Sequence, residues 1–361
     1  MIKVLYIGWI GYNNLGDELM LDLFKQRLSQ LEGQFKLEVV NNEERFLRNV
    51  SIEQYDLIVL GGGSIISGPQ HLVQPYIIET LHKALTINKK VMIWCSGMDW
   101  IPKSYITHLE SGRKLPLTQS TRLQSKLVDV FEESIWAGVR GPLTFSLLQQ
   151  FGVEKNIQLS GDPGFLMKKK PPHLPKSENQ EKIIGVNWGT AFNVIYGNNE
   201  TIVEDHLANA LNKFIEQGYS IHLFVMFSTD IEPSKRLYEK IKKKDRIVMD
   251  ETLYNHEELI SIIERFAFTI NFKLHANYLS LAAHVPFIAL GYRFKVFDFV
   301  KSVDLENYIV STDAGDLADQ LLITENSITR NQKEIIKKMR YYQSLYSKRI
   351  NQSFEEMVHI K

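Results

Sequence analysis

Short apolar runs recur along the chain, separated by stretches whose apolar side chains fall at helical spacing. The runs are residues 4–8, 37–40, 57–60, 91–95 and 135–139, then 183–186, 221–227, 247–249, 268–270 and 287–290. Runs of that length, bounded by turn residues, read as buried strands. Between the first two, Leu19, Met20, Leu23, Phe24, Leu28 and Leu31 share one face of a helix over 18–31. Strands alternating with helices predict an α/β chain of doubly wound parallel sheets with helices on both faces. The pattern occurs twice, on either side of Lys168-Lys169-Lys170-Pro171-Pro172-His173-Leu174-Pro175, which with the polar residues up to Lys182 reads as a surface linker. Two domains are therefore expected, over 1–167 and 183–330, facing each other across a cleft. From about Asn331 to residue 361, helical spacing with many charges predicts a helix packing back across the domains.

The 361 residues exceed the roughly 250–300 at which one hydrophobic core stops growing, in keeping with two domains. Forty-two basic side chains balance forty-two acidic ones, so the overall charge does not draw the chain to nucleic acid, and no nucleic-acid partner is expected. Cys95 is the single cysteine, which excludes an intramolecular disulfide and a cysteine-based zinc cluster. The histidines show no His-x-x-x-His or His-Glu-x-x-His spacing, so no metal is expected. The N-terminal run reads as a first strand rather than a secretion signal, and no apolar stretch approaches the 18 or more residues of a membrane span. The expectation is a cytoplasmic protein.

Ligands of open α/β sheets sit beyond the carboxyl ends of strands, so residues just after strands carry the candidate chemistry. After the first strand comes Gly11-Tyr12-Asn13-Asn14-Leu15-Gly16-Asp17-Glu18, which is neither a dinucleotide fingerprint nor a Walker loop. It either brings backbone close to a ligand or forms a tight turn with Asp17 as N-cap. Gly61-Gly62-Gly63-Ser64, after the third, either approaches a ligand or packs a tight crossover. Arg140 ends a strand where its planar fork suits a carboxylate or phosphate, with a surface ion pair as the alternative. Asp162, in Ser160-Gly161-Asp162-Pro163-Gly164, either caps a turn or offers a carboxylate. The stretch from Ser111 to Thr118 is a loop that either orders over a substrate or stays solvated. The richest segment is Asn271-Phe272-Lys273-Leu274-His275, followed by Gly291-Tyr292-Arg293-Phe294-Lys295. Lys273, His275, Arg293 and Lys295 stand at two neighbouring strand ends as an anion pocket, and His275 can titrate near neutrality.

Taken in order, Gly-Tyr-Asn-Asn-x-Gly-Asp-Glu at 11–18, Gly-Gly-Gly-Ser at 61–64, Val139-Arg140, Asp162-Pro163, Leu274-His275-Ala276, Val285-Pro286 and Lys295 resemble the polysaccharide pyruvyl transferase family. The resemblance implies two Rossmann-like domains of glycosyltransferase-B-like (GT-B-like) type. It implies transfer of an enolpyruvyl unit from phosphoenolpyruvate to a sugar of a cell-surface polysaccharide or its precursor, forming a pyruvate ketal and releasing phosphate, with phosphoenolpyruvate as co-substrate and no cofactor. Arg140 and Lys295 would hold the donor's carboxylate and phosphate, joined by Lys273 and Arg293, and His275 would be the acid. Asp17 and Glu18 are the candidates for the base, and Asn14, Gly16, Gly61, Gly62, Gly63, Ser64 and Asp162 for the acceptor-side loops. The expected partner is a sugar acceptor, lipid-linked or nucleotide-linked, with peripheral association at the inner face of the membrane left open. The chain departs from the family pattern in Lys273, where arginine is usual, in Gly141, where aspartate is usual, and in Arg293-Phe294, where Asp-Pro is usual. Lysine cannot reproduce bidentate arginine binding. Two rival readings are a nucleotide-sugar glycosyltransferase, with Glu257 or Glu258 on the donor ribose, and a non-catalytic sugar-binding relative.

Overall fold

The computed structural model describes residues 1–31, 35–117, 120–169 and 182–360. Most of the expected linker at 168–182, and Thr118 at the end of the loop from Ser111, lie outside the described residues. The chain divides into two compact units, one of Met1–Leu166 with Ser344–Lys361 and the other of Met167–Gln343.

In the first unit, β1 (Ile2–Gly8), β2 (Phe35–Asn41), β3 (Leu57–Leu60), β4 (Lys90–Ser96), β5 (Trp136–Val139) and β6 (Ile157–Leu159) form a parallel sheet in the order β2-β1-β3-β4-β5-β6. In the second, β7 (Ile183–Asn187), β8 (Ser220–Phe224), β9 (Ile247–Asp250), β10 (Phe268–Asn271), β11 (Phe287–Gly291) and β12 (Ile309–Ser311) run parallel in the order β12-β11-β10-β7-β8-β9. Each sheet is thus doubly wound, and the winding reverses between β1 and β3 in one and between β7 and β10 in the other. Helical crossovers cover both faces of a parallel sheet, so β3, β5, β10 and β11 are buried at every position. β12 escapes the apolar-run reading because it is a three-residue edge strand with both ends half-exposed.

Two expected helix boundaries are corrected. The helix after β1 spans Leu15–Leu28, and its N-cap is Asn14 rather than Asp17: the Asn14 side chain accepts from Gly16 N–H, and Asp17 falls in the first turn. The final helix starts at Leu317, not near Asn331, and runs to Val358. Buried Leu317, Leu321 and Ile328 extend the same apolar stripe upstream of Ile335 and Met339. Its last turns belong to the first unit, where Phe354 lies 5.4 Å from the Phe24 ring and 5.9 Å from the Trp94 ring.

The pairing of β4 with β5 shifts register between Ile93 and Ser96. Within that irregularity Cys95 adopts a left-handed φ of 57°, and its thiol is fully buried. Burial raises the thiol far above its usual range, so it stays protonated. Because Phe354 fills an aromatic core shared with Tyr6, Phe24 and Trp94, Phe354→Ala is expected to cost about 3–5 kcal/mol. Urea unfolding followed through tryptophan fluorescence measures the loss.

Candidate functional site

The second unit's sheet brings its richest chemistry to the switch point between β7 and β10, where ligands of doubly wound folds bind. β7 ends in Asn187 and β10 in Asn271, both fully buried. Asn187 Oδ1 accepts the Lys273 N–H at 2.9 Å, and its Nδ2 donates to the Phe224 carbonyl at 3.2 Å. Asn271 Nδ2 donates to Thr269 Oγ1 at 2.9 Å and Ser280 Oγ at 3.1 Å, and it lies 3.3 Å from Asn277 Oδ1. This buried amide network fixes the turn from β10 into the helix Leu274–Ala283, and so fixes where Lys273 and His275 stand.

An aromatic residue follows directly after each of the three central strands: Trp188 after β7, Phe272 after β10 and Tyr292 after β11. Trp188 and Phe272 have ring centroids 4.8 Å apart, and Phe272 and Tyr292 stack at 4.5 Å. All three are buried, so they floor the carboxyl edge. Above this floor Arg293 and Lys295 lie 5.1 and 5.4 Å from the Tyr292 ring centre.

Lys273 is engaged within the unit. Its ammonium is 3.0 Å from Asp230 Oδ1 and donates to the Thr190 carbonyl at 2.6 Å. Asp230 is fully buried; desolvation raises its carboxyl above the usual range while Lys273 pulls it back. A side chain at Gly189 would strike this carboxylate, its Cβ only 2.2 Å from Asp230 Oδ1, which accounts for glycine there. Beyond Gly189, Glu200 accepts the N–H groups of Ala191 and Asn193, and Tyr196 N–H donates to the Tyr292 carbonyl. The loop after β7 is thereby tied to the end of β11.

His275 is the second residue of the helix Leu274–Ala283, and Lys295 the second residue of the helix Phe294–Ser302, whose N-cap is Arg293. Neither helix has a side-chain N-cap or an acidic residue in its first turn. Cations at the positive end of a helix dipole oppose that dipole, and a negative charge placed there would relieve both. The topology thus gathers Lys273, His275, Arg293 and Lys295 on neighbouring strands of one sheet, with Lys273 held by Asp230 and His275 half-buried.

The candidates of the first unit are placed differently. Arg140 is 2% exposed: its Nη2 donates to Ser64 Oγ at 2.9 Å, and Nη1 is 3.7 Å from Asp162 Oδ2. Arg140 thus makes an inner tie between the Gly61–Ser64 turn and Asp162. That turn's glycines answer to packing: a Cβ on Gly61 would lie 2.2 Å from the Tyr6 ring and one on Gly62 2.7 Å from Met20 Sδ, while Gly63 has φ of 106°. Gly16 is buried in the first turn of its helix. Glu18 Oε1 accepts Gly11 N–H at 2.7 Å and so holds the preceding loop, whereas Asp17 is half-buried beside Gly63. The loop after Ser111 is fastened by Gln150, which bonds Leu115 N–H and the Arg113 carbonyl.

Sequence reading missed Asn187, Asp230, Glu200 and the aromatic floor. Only the floor left a signal, an aromatic residue directly after each of three strands; Asp230 is remote in sequence from the lysine it holds. Among the described residues no group of three or more His, Cys, Asp or Glu side chains is arranged to hold a metal ion.

Two six-stranded Rossmann-like sheets with candidate chemistry on their carboxyl edges define an α/β protein of GT-B-like class. The sequence profile of the family described as polysaccharide pyruvyl transferase matches residues 14–293, and the chain belongs to that family. No curated protein matches it. Among solved structures it is similar to the S. aureus MnaA–UDP co-structure, with 10% identity, a TM-score of 0.62 and coverage of 100% of this chain and 98% of that one. A putative UDP-N-acetylglucosamine 2-epimerase from Listeria monocytogenes gives 13% identity, a TM-score of 0.55 and coverage of 94% and 90%. The glycotransferase of kitacinnamycin gives 8%, 0.54 and 98% of both chains. At such identities the likeness speaks for the fold alone.

Burial of Asp162 raises its carboxyl to about 6, against the pull of Arg140 and of the Gly164 N–H. The folded state then holds this proton more tightly than the unfolded chain, so its share of stability is full below about 4 and is lost as pH rises to about 6. Asp162→Asn is expected to remove this decline, worth up to about 3 kcal/mol across the window. Chemical denaturation of both proteins from pH 4 to 7 measures the two slopes.

Proposed function

We propose that this chain moves the enolpyruvyl unit of phosphoenolpyruvate onto two hydroxyls of one sugar in a cell-surface polysaccharide or its precursor, forming a pyruvate ketal and releasing phosphate. Family membership supports transfer of a pyruvyl group. The observation that carries the donor assignment is the pair of helix starts that hold Lys273, His275, Arg293 and Lys295 and no acid. Phosphoenolpyruvate carries a carboxylate and a phosphate on the same carbon, and two adjacent anion receptors suit that shape.

In this mechanism Arg293, Lys295 and the helix N–H groups hold the two anionic groups. His275, as imidazolium, delivers its proton to the methylene carbon, and positive charge develops at C2. A sugar hydroxyl attacks C2 and loses its proton to a carboxylate. The C–O bond to phosphate then breaks and leaves an oxocarbenium at C2; the second hydroxyl attacks that carbon, gives its proton to the departed phosphate, and the ring closes. Asp17 and Glu18 are the candidates for the base, and the Glu18 carboxylate also accepts the Gly11 N–H. Arg140 serves by holding Ser64 rather than by touching the donor. The Gly61–Ser64 turn and the Asn14 loop are assigned to the acceptor, a lipid-linked or nucleotide-linked sugar met on the cytoplasmic side. No helix among the described residues is long and apolar enough to cross a membrane. The nucleotide-sugar reading draws less support, because Glu258 is used in a capping box with Asn255 at the start of the helix His256–Ile263.

Lys295→Ala is expected to weaken phosphoenolpyruvate binding at least tenfold by calorimetry. His275→Ala should keep donor affinity within a few-fold but lower phosphate release, measured with a panel of sugar acceptors, by about 10²–10⁴. Near-normal release per folded molecule in His275→Ala would remove the histidine from the chemistry.

A further inference from the structure

The loop from β1 into the helix Leu15–Leu28 carries two aromatic rings that the transfer chemistry does not use. Trp9 and Tyr12 stack with ring centroids 4.8 Å apart and planes 27° from parallel, and both remain partly exposed. The loop is shaped by left-handed backbone at Gly11, φ 91°, and Asn13, φ 56°. It is held by side chains from outside it: Glu18 accepts Gly11 N–H, Asn41 Nδ2 donates to the Ile10 carbonyl at 2.6 Å, and Tyr12 OH donates to Glu43. An aromatic pair fixed by polar ties rather than by burial is a prepared surface.

Its place and its charge narrow what that surface receives. The loop leaves β1 where the winding of the sheet reverses, on the edge where such folds take ligands. Asn42 lies alongside, its N–H donating to the Gly8 carbonyl at 2.9 Å. The residue is 8% exposed, and among the described residues nothing donates to its Oδ1. A buried amide oxygen left unmatched is costly, and a hydroxyl is a donor that would satisfy it. The helix that follows opens with Asp17 and Glu18, which disfavour a phosphate there, and the nearby Arg45 is paired with Glu43 at 2.7 Å. Aromatic face, carboxylates and amide without a phosphate cradle fit a neutral, hydroxyl-rich ring.

We propose that Trp9 and Tyr12 form a saccharide platform, stacking against the C–H face of a pyranose whose hydroxyls reach Asn42 and the neighbouring carboxylates. In giving the acceptor sugar its place, the proposal rests on the pyruvyl-transfer reading; the platform itself can be tested without turnover. The test is a titration of the intact chain with the methyl glycosides of glucose, galactose, mannose and N-acetylglucosamine, up to about 50 mM, where a millimolar Kd is saturated. The indole N–H of Trp9 is followed by NMR, assigned through Trp9→Phe, with Trp188 as an internal control. At least one glycoside is expected to shift Trp9 and not Trp188. By calorimetry Trp9→Ala and Tyr12→Ala should each weaken that binding at least tenfold, and Trp9→Phe, which keeps a ring, should retain most of it. A Trp9 signal that no glycoside moves, or affinity unchanged in folded Trp9→Ala and Tyr12→Ala, overturns the platform. Phosphoenolpyruvate is added in a parallel titration. Its failure to bind while glycosides still shift Trp9 counts against pyruvyl transfer alone, and its binding with Trp9 unmoved counts against the platform alone.

Discussion

The hydrogen bond from Lys273 N–H to the side chain of Asn187 is the constraint around which the second unit's edge is arranged. A helix that is to receive an anion must leave its first N–H groups open, so it cannot be closed by its own N-cap side chain. Lysine at the N-cap of Leu274–Ala283 offers no acceptor, and the neighbouring strand supplies one instead. The same turn is braced from below by Asn271, Thr269 and Ser280, all buried and mutually bonded. Within this network Asn271 Nδ2, Thr269 Oγ1 and Ser280 Oγ bond one another, which offsets most of the cost of placing polar groups in a sheet interior.

The two units use one architecture toward opposite electrostatics. In the second, cations and an imidazole stand at helix starts that lack acids. In the first, the helix after β1 is capped by Asn14 and opens with two carboxylates, while Arg140, at the end of β5, is buried beside the glycine turn and paired with Asp162. Arginine so buried acts as a rigid fork between elements. Because fold alone does not fix chemistry, two sheets of one architecture can carry such different charge at their strand ends.

Much of this was legible in the amino-acid order. Apolar runs marked ten of the twelve strands among the described residues, most plainly β3, β5, β10 and β11, where a parallel strand buried on both faces has no polar surface positions to interrupt it. The cationic edge was legible too, because Lys273, His275, Arg293 and Lys295 cluster in two short segments. What could not be read were pairings made only by the fold. Asp230 holds Lys273 from the far side of the switch point, and Asp162 meets Arg140 from the neighbouring strand end, 22 residues on in sequence. Arg140 looks the same in sequence whether it faces solvent or lies under a loop. The glycines at 61 and 62 likewise signal close approach without saying to what, and the answer is Tyr6, Met20 and Pro163.

Cys95 has one further use. Its thiol sits at the end of a central strand, fully buried and held in the unreactive protonated form. The chain has no other cysteine. A thiol-specific reagent therefore has a single target, which it meets only when the first sheet opens. The rate of modification then reports the opening equilibrium of that unit directly, as amide exchange does for a backbone proton, and native cysteine chemistry becomes a clock for breathing of the core without any engineered label.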